Sequence, residues 1–513
     1  MTTLVSTTDT LTRDALAVLQ PGFVGTTAPD WLLRAIGDGL TSVGLFGRNV
    51  ADPEQLAALT RRLRREREDI LVAIDEEGGD VTRLEVRHGS SFPGNYALGA
   101  VDDPDLTREV ARELGRRLAA CGVNLNWAPS ADVNSNPDNP VIGVRSFGAD
   151  PELAARHTAA YVEGLQAAGV AACVKHFPGH GDTAVDSHHA LPRIDVDLDT
   201  LHARELRPFR AAIAAGSRSV MSAHILLPAL DPEHPATLSP RILTGLLREE
   251  LGFQGPIVTD GMEMRAIASV YGIERGSVLA IAAGADAICV GGGLADEGIV
   301  LRLRDALVTA VRTGELPEER LADAAARVRG LADWTRRVRV SSGAGAPGAA
   351  TQEGTAPGDP GIGLLAARRA LRVTGTPTPL TRAPYVAVLT PAANIAVGEE
   401  TPWGLATELA RLLPGTETAT YGDVPTPDTP TPELPTRILT AAGDRTTVAV
   451  VRDAHRHPWM TATLDTLLAA RPDTVVVEMG LNEAPPRGAL HVATHGAARV
   501  CAQAAAEVIA GRE

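Results

Sequence analysis

Residues 171–192 read AACVKHFPGHGDTAVDSHHALP. An apolar run over 171–175 ends abruptly in a polar stretch broken by Pro178, Gly179 and Gly181, which is the pattern of a buried strand emptying into a loop. The same pattern recurs on both sides. Apolar, β-rich runs at 22–25, 42–46, 70–74, 123–127, 219–223, 256–259 and 285–290 bring the number of candidate strands to eight. Between them lie segments such as DLTREVARELGRRLAACG (105–122), in which Val110, Leu114 and Leu118 recur every fourth residue and predict an amphipathic helix. Alternation of this kind requires a parallel sheet with helical crossovers, so the expected fold is α/β, a (β/α)8 TIM barrel. A doubly wound open sheet is the alternative.

The composition changes at 341–363, SSGAGAPGAATQEGTAPGDPGIG, where periodic hydrophobicity gives way to Gly, Ala, Pro and Thr. The chain is therefore divided into a barrel over 1–336, a Gly/Ala/Pro-rich linker over 337–363 and a C-terminal α/β sandwich domain over 364–513. The sandwich is read from the buried-strand runs PYVAVLT (384–390), TTVAVV (446–451) and DTVVVEMG (473–480). A stretch with five prolines, PTPDTPTPELP (425–435), is placed on a surface loop. Nothing in this part forms a GxGxxG or P-loop pattern, and no cofactor is assigned.

With 48 basic and 63 acidic residues the net charge is −15, which opposes binding to nucleic acid and to anionic membranes. Aromatic residues are only 3 %, so the core must be built from Ala, Val, Leu and Ile. Cys121, Cys173, Cys289 and Cys501 lie far apart without a CxxC pair and are expected to be buried free thiols. The N-terminus lacks a basic head followed by an apolar run, and no later stretch offers about 18 uninterrupted apolar residues, so a cytoplasmic location is expected.

In parallel barrels the active site gathers at the C-terminal ends of the strands. Polar residues stand there repeatedly: Arg48 and Asn49 after the second run, Asp75, Glu76 and Glu77 after the third, Lys175 and His176 at the fifth, His224 after the sixth and Asp260 after the seventh. The loop at 175–192 adds a second signal. Asp186 and His188 are two residues apart, and in an extended segment both side chains point to one side. The carboxylate then fixes the imidazole tautomer and leaves the other ring nitrogen to exchange a proton with a substrate.

Each feature also has a plainer reading. A polar Gly/Pro-rich loop is often only solvated. His176, His180, Asp182 and His188 are conceivable metal ligands, but no HExxH-type spacing supports them and no metal is assigned. Asp260 suits a helix N-cap as well as a catalytic role, and Asp75 suits a turn before Gly78 and Gly79. Asp132, Asn134, Asn136 and Asp138 suit a loop that bonds its own backbone, Arg145 suits neutralisation of nearby carboxylates, and GGGL (291–294) suits phosphate.

Six motifs in order carry a resemblance: LFGRN (45–49), IDEEGGDVTRL (74–84), NWAPSADVNSNPDNPVIGVRSFG (126–148), KHFPGHGDTAVDSHHALP (175–192), VMSAHI (220–225) and VTDGMEM (258–264). With them residues 1 to about 335 resemble glycoside hydrolase family 3, in its β-N-acetylglucosaminidase branch; the C-terminal part looks like the smaller domain of the two-domain form. The resemblance implies a retaining exo-β-N-acetylglucosaminidase acting on chito-oligosaccharides or cell-wall fragments, with a small carbohydrate as its partner and no cofactor. It makes Asp260 the nucleophile and His188 the general acid/base oriented by Asp186. By the same resemblance Asp75, Arg145, Lys175 and His176 bind hydroxyls of the sugar in the −1 subsite. The chain departs from the usual pattern at Glu76, where Gln is commoner, at Val144, where a polar residue is frequent, and at Gly261, where Ala is common. Three other functions are weighed against it. A phosphorylase would use the same His/Asp pair with phosphate as the incoming group, a β-glucosidase would share the scaffold, and a non-catalytic sugar sensor would not need Asp260, Asp186 and His188.

Overall fold

Eight short strands follow one another along the first part of the computed structural model: β1 (Leu19–Pro21), β2 (Ser42–Leu45), β3 (Leu71–Ile74), β4 (Leu125–Asn126), β5 (Ala171–Phe177), β6 (Ser219–Ser222), β7 (Ile257–Thr259) and β8 (Ile288–Val290). The structure describes residues 9–185, 191–341, 361–376, 378–391, 397, 401–422 and 433–512. Every residue of the eight strands is buried, as a parallel sheet covered on both faces requires. β2 to β7 form one curled parallel sheet in chain order, and β1 pairs in parallel with β8. A bridge between Val258 and Ala287 links β7 to the segment that enters β8.

Alternate strand residues turn inward. Leu71 and Ala73, Leu125, Ala171 and Cys173, Met221, Val258, Ala287 and Cys289 share one apolar cluster with Trp127, and helix Glu318–Ser341 adds Val328, Leu331 and Ala332 to it. Helix Pro104–Ala120 forms where the fourfold spacing predicts it, with Val110, Leu114 and Leu118 buried.

The first strand lies ahead of the run read as 22–25. Its ladder uses Leu19 to Pro21, and the chain leaves the sheet at Gly22, whose N–H still reaches Val290 O at 2.7 Å. A Cβ at Gly22 would come within 2.9 Å of Gly291 O, so this glycine serves a close backbone approach rather than a strand.

Two compact units emerge. The first comprises residues 1–76, 107–133 and 150–359; the second gathers 77–106 and 134–149, the segments that follow β3 and β4, with 360–513. The second unit holds a six-stranded sheet made of β9 (Arg372–Gly375), β10 (Tyr385–Leu389), β11 (Glu417–Tyr421), β12 (Thr447–Val451), β13 (Val475–Glu478) and β14 (Leu490–Ala493), in the order β11-β10-β12-β13-β14-β9. Only β9 runs antiparallel, at one edge. Val386, Val388, Val448 and Val450 face helices Ala406–Leu412 and Arg499–Ala510, while Ala387, Leu389, Ala449 and Val451 face helices Leu434–Ala442 and Pro458–Ala470. This is the expected α/β sandwich.

The linker stretch is entered by helix Glu318–Ser341, and the chain is described again from 361, where helix Ile362–Ala370 starts. Most of the proline-rich stretch 425–435 also lies outside the described residues. Its end is helical rather than looped, because Pro435 falls in the first turn of Leu434–Ala442, where a missing N–H costs nothing. All four cysteines are buried and free. Among the described residues no helix is long and apolar enough to cross a membrane.

Candidate active site

The parallel order sends the C-terminal ends of the strands in the first unit to one rim. Asp75 follows β3, Lys175 and His176 lie within β5, His224 follows β6 and Asp260 follows β7. Lys175 is buried, and its Nζ donates to Asp75 Oδ1. The backbone just after Asp75 is braced by Asn126 at the end of β4, whose Oδ1 accepts from Glu76 N at 3.0 Å and whose Nδ2 donates to Glu76 O at 2.7 Å.

Behind this pair stands a fully enclosed carboxylate, Asp132. It accepts from His176 Nδ1 (2.7 Å), His176 N (3.2 Å), His180 N (2.7 Å) and Ser130 Oγ (2.8 Å). Burial alone would raise its pKa, but the charge and hydrogen bond of His176, together with His180, hold it well below the usual carboxylate range. His180 is the opposite case. Burial first, and then the neighbouring His176, push its ring down to about 4, and its Nδ1 lies 2.8 Å from Thr183 Oγ1.

Asp260 ends β7 in a turn, not at a helix cap. The next helix is Arg265–Ala268, with Met264 in the capping position, and Asp260 Oδ1 instead accepts from Gly261 N at 2.7 Å. Burial, with Asp75 and Asp260 adding, lifts the thiol of Cys173 to about 12; burial, with Glu263, Asp260 and Asp75 adding, raises that of Cys289 well above the ordinary thiol value. Asp75 and Asp260 both follow the C-terminal ends of strands in the same parallel sheet.

Several sequence readings change. Asp132, read as a loop-former with Asn134, Asn136 and Asp138, is the anchor of His176 and His180; Asn136 alone keeps the local pattern with Asp138 N, at 3.0 Å, while Asn134 Oδ1 accepts from Gly143 N at 3.1 Å. Asp182 turns to Arg204 (2.7 Å) rather than to the histidines, so it does not join His176 and His180 as a metal ligand set. The glycines of GGGL are already occupied. Glu263 Oε1 accepts from Gly291 N (2.9 Å), from Gly292 N and from Gly293 N (3.4 Å), which fills the nest read as a phosphate site with a carboxylate of the chain. Asp186 and His188 lie outside the described residues.

In the second unit, Arg145 makes a buried fork with Glu77: Nε to Oε2 at 3.0 Å and Nη2 to Oε1 at 2.7 Å. The pairing read for Arg145 from sequence is therefore present, and Asn95 Nδ2 holds its carbonyl at 2.7 Å. Sequence reasoning passed over Asp132 and Glu263 as site residues. For Glu263 a signal existed, since a carboxylate three residues beyond a strand-end aspartate falls on the same rim.

Comparison with known proteins finds relatives of one kind. Beta-hexosaminidase A of Pseudoalteromonas piscicida is 38 % identical over 311 residues, covering 56 % of this chain and 52 % of that protein, so the match spans about half the relative's length. A beta-hexosaminidase of Stenotrophomonas maltophilia strain R551-3 is 38 % identical over 269 residues, 51 % of this chain and 78 % of that protein. Among solved structures, a glycoside hydrolase family 3 beta-N-acetylglucosaminidase from Paenibacillus sp. str. FPU-7 superposes with a TM-score of 0.84 at 35 % identity, covering 98 % of this chain and 97 % of that one. The model for the glycosyl hydrolase family 3 N terminal domain matches residues 34–331, which contain every strand-end residue named above except those before β2, and the chain belongs to that family.

Proposed function

We propose that the chain is a retaining, exo-acting β-N-acetylglucosaminidase that releases terminal N-acetylglucosamine from chito-oligosaccharides or cell-wall fragments. The observation that carries this reading is the placement of Asp260 at the end of β7, in a turn that caps no helix, on the same sheet rim as the Asp75–Lys175 pair. In the proposed reaction Asp260 attacks the anomeric carbon, and the bond to the leaving oxygen breaks as His188 delivers a proton to it. Water, deprotonated by the same imidazole, then releases the sugar with retention. Asp186 orients His188; Asp75, Lys175 and His176 hold ring hydroxyls, the carboxylate accepting and the ammonium donating.

The names of the relatives from Pseudoalteromonas, Stenotrophomonas and Paenibacillus support this substrate class. We extend the proposal to architecture and place: the eight strands close as a (β/α)8 barrel, supported by the β1–β8 ladder and by the Gln20 Nε2 to Ser42 Oγ bond of 2.6 Å between β1 and β2, and the enzyme works in the cytoplasm.

The test is turnover of an aryl N-acetyl-β-glucosaminide. The parent is expected to release the β-anomer first, and Asp260→Ala to lose the reaction and its burst of aryl alcohol. An Asp260→Ala variant with full activity, or release of the α-anomer, overturns the reading. Running the assay with and without phosphate separates hydrolysis from phosphorolysis, and free N-acetylglucosamine is expected in both.

A further inference from the structure

The turn that carries Asp260 is tied down at four consecutive residues, and the ties go to both neighbouring strands. Asp260 N donates to Ser222 O of β6 at 3.2 Å; Met262 N donates to Cys289 O of β8 at 3.0 Å. Gly261 O accepts from His224 Nε2 at 3.0 Å, and the Glu263 carboxylate takes the N–H groups of the glycines that follow β8. The two backbone ties are available to any sequence. The two side-chain ties are not, and the reaction scheme above uses neither residue.

His224 is fully buried. Because its Nε2 faces a carbonyl oxygen, which can only accept, that nitrogen carries the hydrogen. On the other side of the ring, Nδ1 lies 2.9 Å from Thr237 Oγ1, and that hydroxyl is itself 2.9 Å from both Ala223 O and Ser222 Oγ. The imidazole is thus gripped from behind by β6 and the segment after it, and aimed at the peptide that follows Asp260. That peptide is the one whose N–H side fixes the carboxylate: Gly261 N donates to Asp260 Oδ1 at 2.7 Å. A glycine at 261 has no side chain to restrain its own backbone, so the orientation of this peptide depends on its partners. Met264 N closes the turn on the same Gly261 carbonyl at 3.0 Å, and a carbonyl has lone pairs for both donors.

We propose that His224 and Glu263 are positioning residues for the nucleophile: together they hold the 260–263 turn so that the Asp260 carboxylate stands in its attack orientation before substrate arrives. The inference rests on Asp260 being the nucleophile. A misplacement of about 1 Å at a reacting group costs on the order of 100-fold in rate, so such a clamp acts on kcat rather than on substrate affinity.

The experiment compares His224→Leu, His224→Gln and Glu263→Ala with the parent and with Asp260→Ala, using kcat and KM on aryl N-acetyl-β-glucosaminides and a thermal melt of each variant. His224→Leu is expected to lower kcat about 100-fold with KM within about threefold. His224→Gln, whose amide still presents an N–H toward Gly261 O, is expected to recover at least about tenfold of that loss. A cooperatively melting His224→Leu with kcat within about threefold of the parent overturns the proposal, as does a Gln variant no faster than the Leu one. Where His224→Leu fails to fold, Glu263→Ala decides: a kcat lower by about tenfold or more supports the clamp, and an unchanged kcat overturns it. An inactive Asp260→Ala beside a flat His224 series discards the clamp alone, whereas an active Asp260→Ala discards the nucleophile assignment on which it rests.

Discussion

Replacing Glu205 by Gln is expected to make the protein more stable at pH 8 and no more stable at pH 4.5. Glu205 is buried at the end of the helical segment Leu201–Glu205, under the loop that leaves β5; a Cβ built on Gly179 would approach its Oε2 to 2.9 Å. Oε1 receives Arg204 Nε at 2.5 Å, while Oε2 is buried without a hydrogen-bond partner among the described residues. Burial outweighs Arg204 and pushes the carboxyl up to about 7 from an ordinary 4.5, with Asp132 and Asp182 adding to the rise. Arg204 itself is held more firmly in its charged form because it serves two carboxylates, Glu205 and Asp182, so the ion pair favours the cation more than the acid. Between pH 4.5 and 7 the native state keeps a proton that the unfolded chain has released. Stability from this group is therefore complete below 4.5 and is lost as the pH rises to 7. The gap corresponds to about 3 kcal/mol at most. Gln has no proton to lose, and Asp182 still engages Arg204, so a net gain of about 1–2 kcal/mol at pH 8 is expected after the weakened Arg204 contact is subtracted. Denaturant unfolding of parent and variant at pH 8 and pH 4.5 measures it. A variant less stable than the parent at pH 8, or a difference that does not shrink toward pH 4.5, would falsify the reasoning.

His180 should show the opposite slope. With its ring held down to about 4, the native state refuses a proton that the unfolded chain takes up below 6.5, so stability falls as the pH drops from 6.5 toward 4, by about 3 kcal/mol at most, and His180→Gln removes that part of the slope relative to the parent. Asp132→Ala deprives Ser130 Oγ, His176 Nδ1 and the His176 and His180 N–H groups of their shared acceptor. A loss of about 3–5 kcal/mol in unfolding free energy is expected, with Asp132→Asn, which keeps one acceptor oxygen, losing less; equal losses in the two variants would contradict the assigned network.

What the sequence reveals of this fold depends on which faces a segment buries. Strands β2 to β8 are buried throughout and so appear as short apolar runs between helical stretches, as do β10, β12 and β13 in the second unit. The edge strands do not: β9 is exposed along its whole length and β11 along most of it, so neither produces an apolar run. The division into units is also hidden from local pattern. Residues 77–106 and 134–149 group with the C-terminal sheet through contacts such as Arg452 Nη2 to Asp80 Oδ2 and Asp80 Oδ1 to Ala497 N (2.7 Å), between groups hundreds of positions apart. No periodicity over a dozen residues carries that information.

The candidate site divides along the same physical line. A parallel sheet whose strands follow chain order must present every C-terminal end on one rim, so locating the ends of β3, β5, β6 and β7 is enough to gather Asp75, Lys175, His176, His224 and Asp260 without any knowledge of distance. Which of these side chains pair is a different question, settled by separations of a few ångströms. Asp132 resembles its neighbours Asn134 and Asn136 in sequence, yet it is the one that takes four donors, because the buried N–H and imidazole groups of His176 and His180 need an acceptor. The glycine run after β8 likewise fits an anion, and the anion it receives is Glu263, supplied by the turn of Asp260 itself. Strand ends therefore tell where the polar side chains gather, while the satisfaction of buried polar groups decides which of them pair with one another.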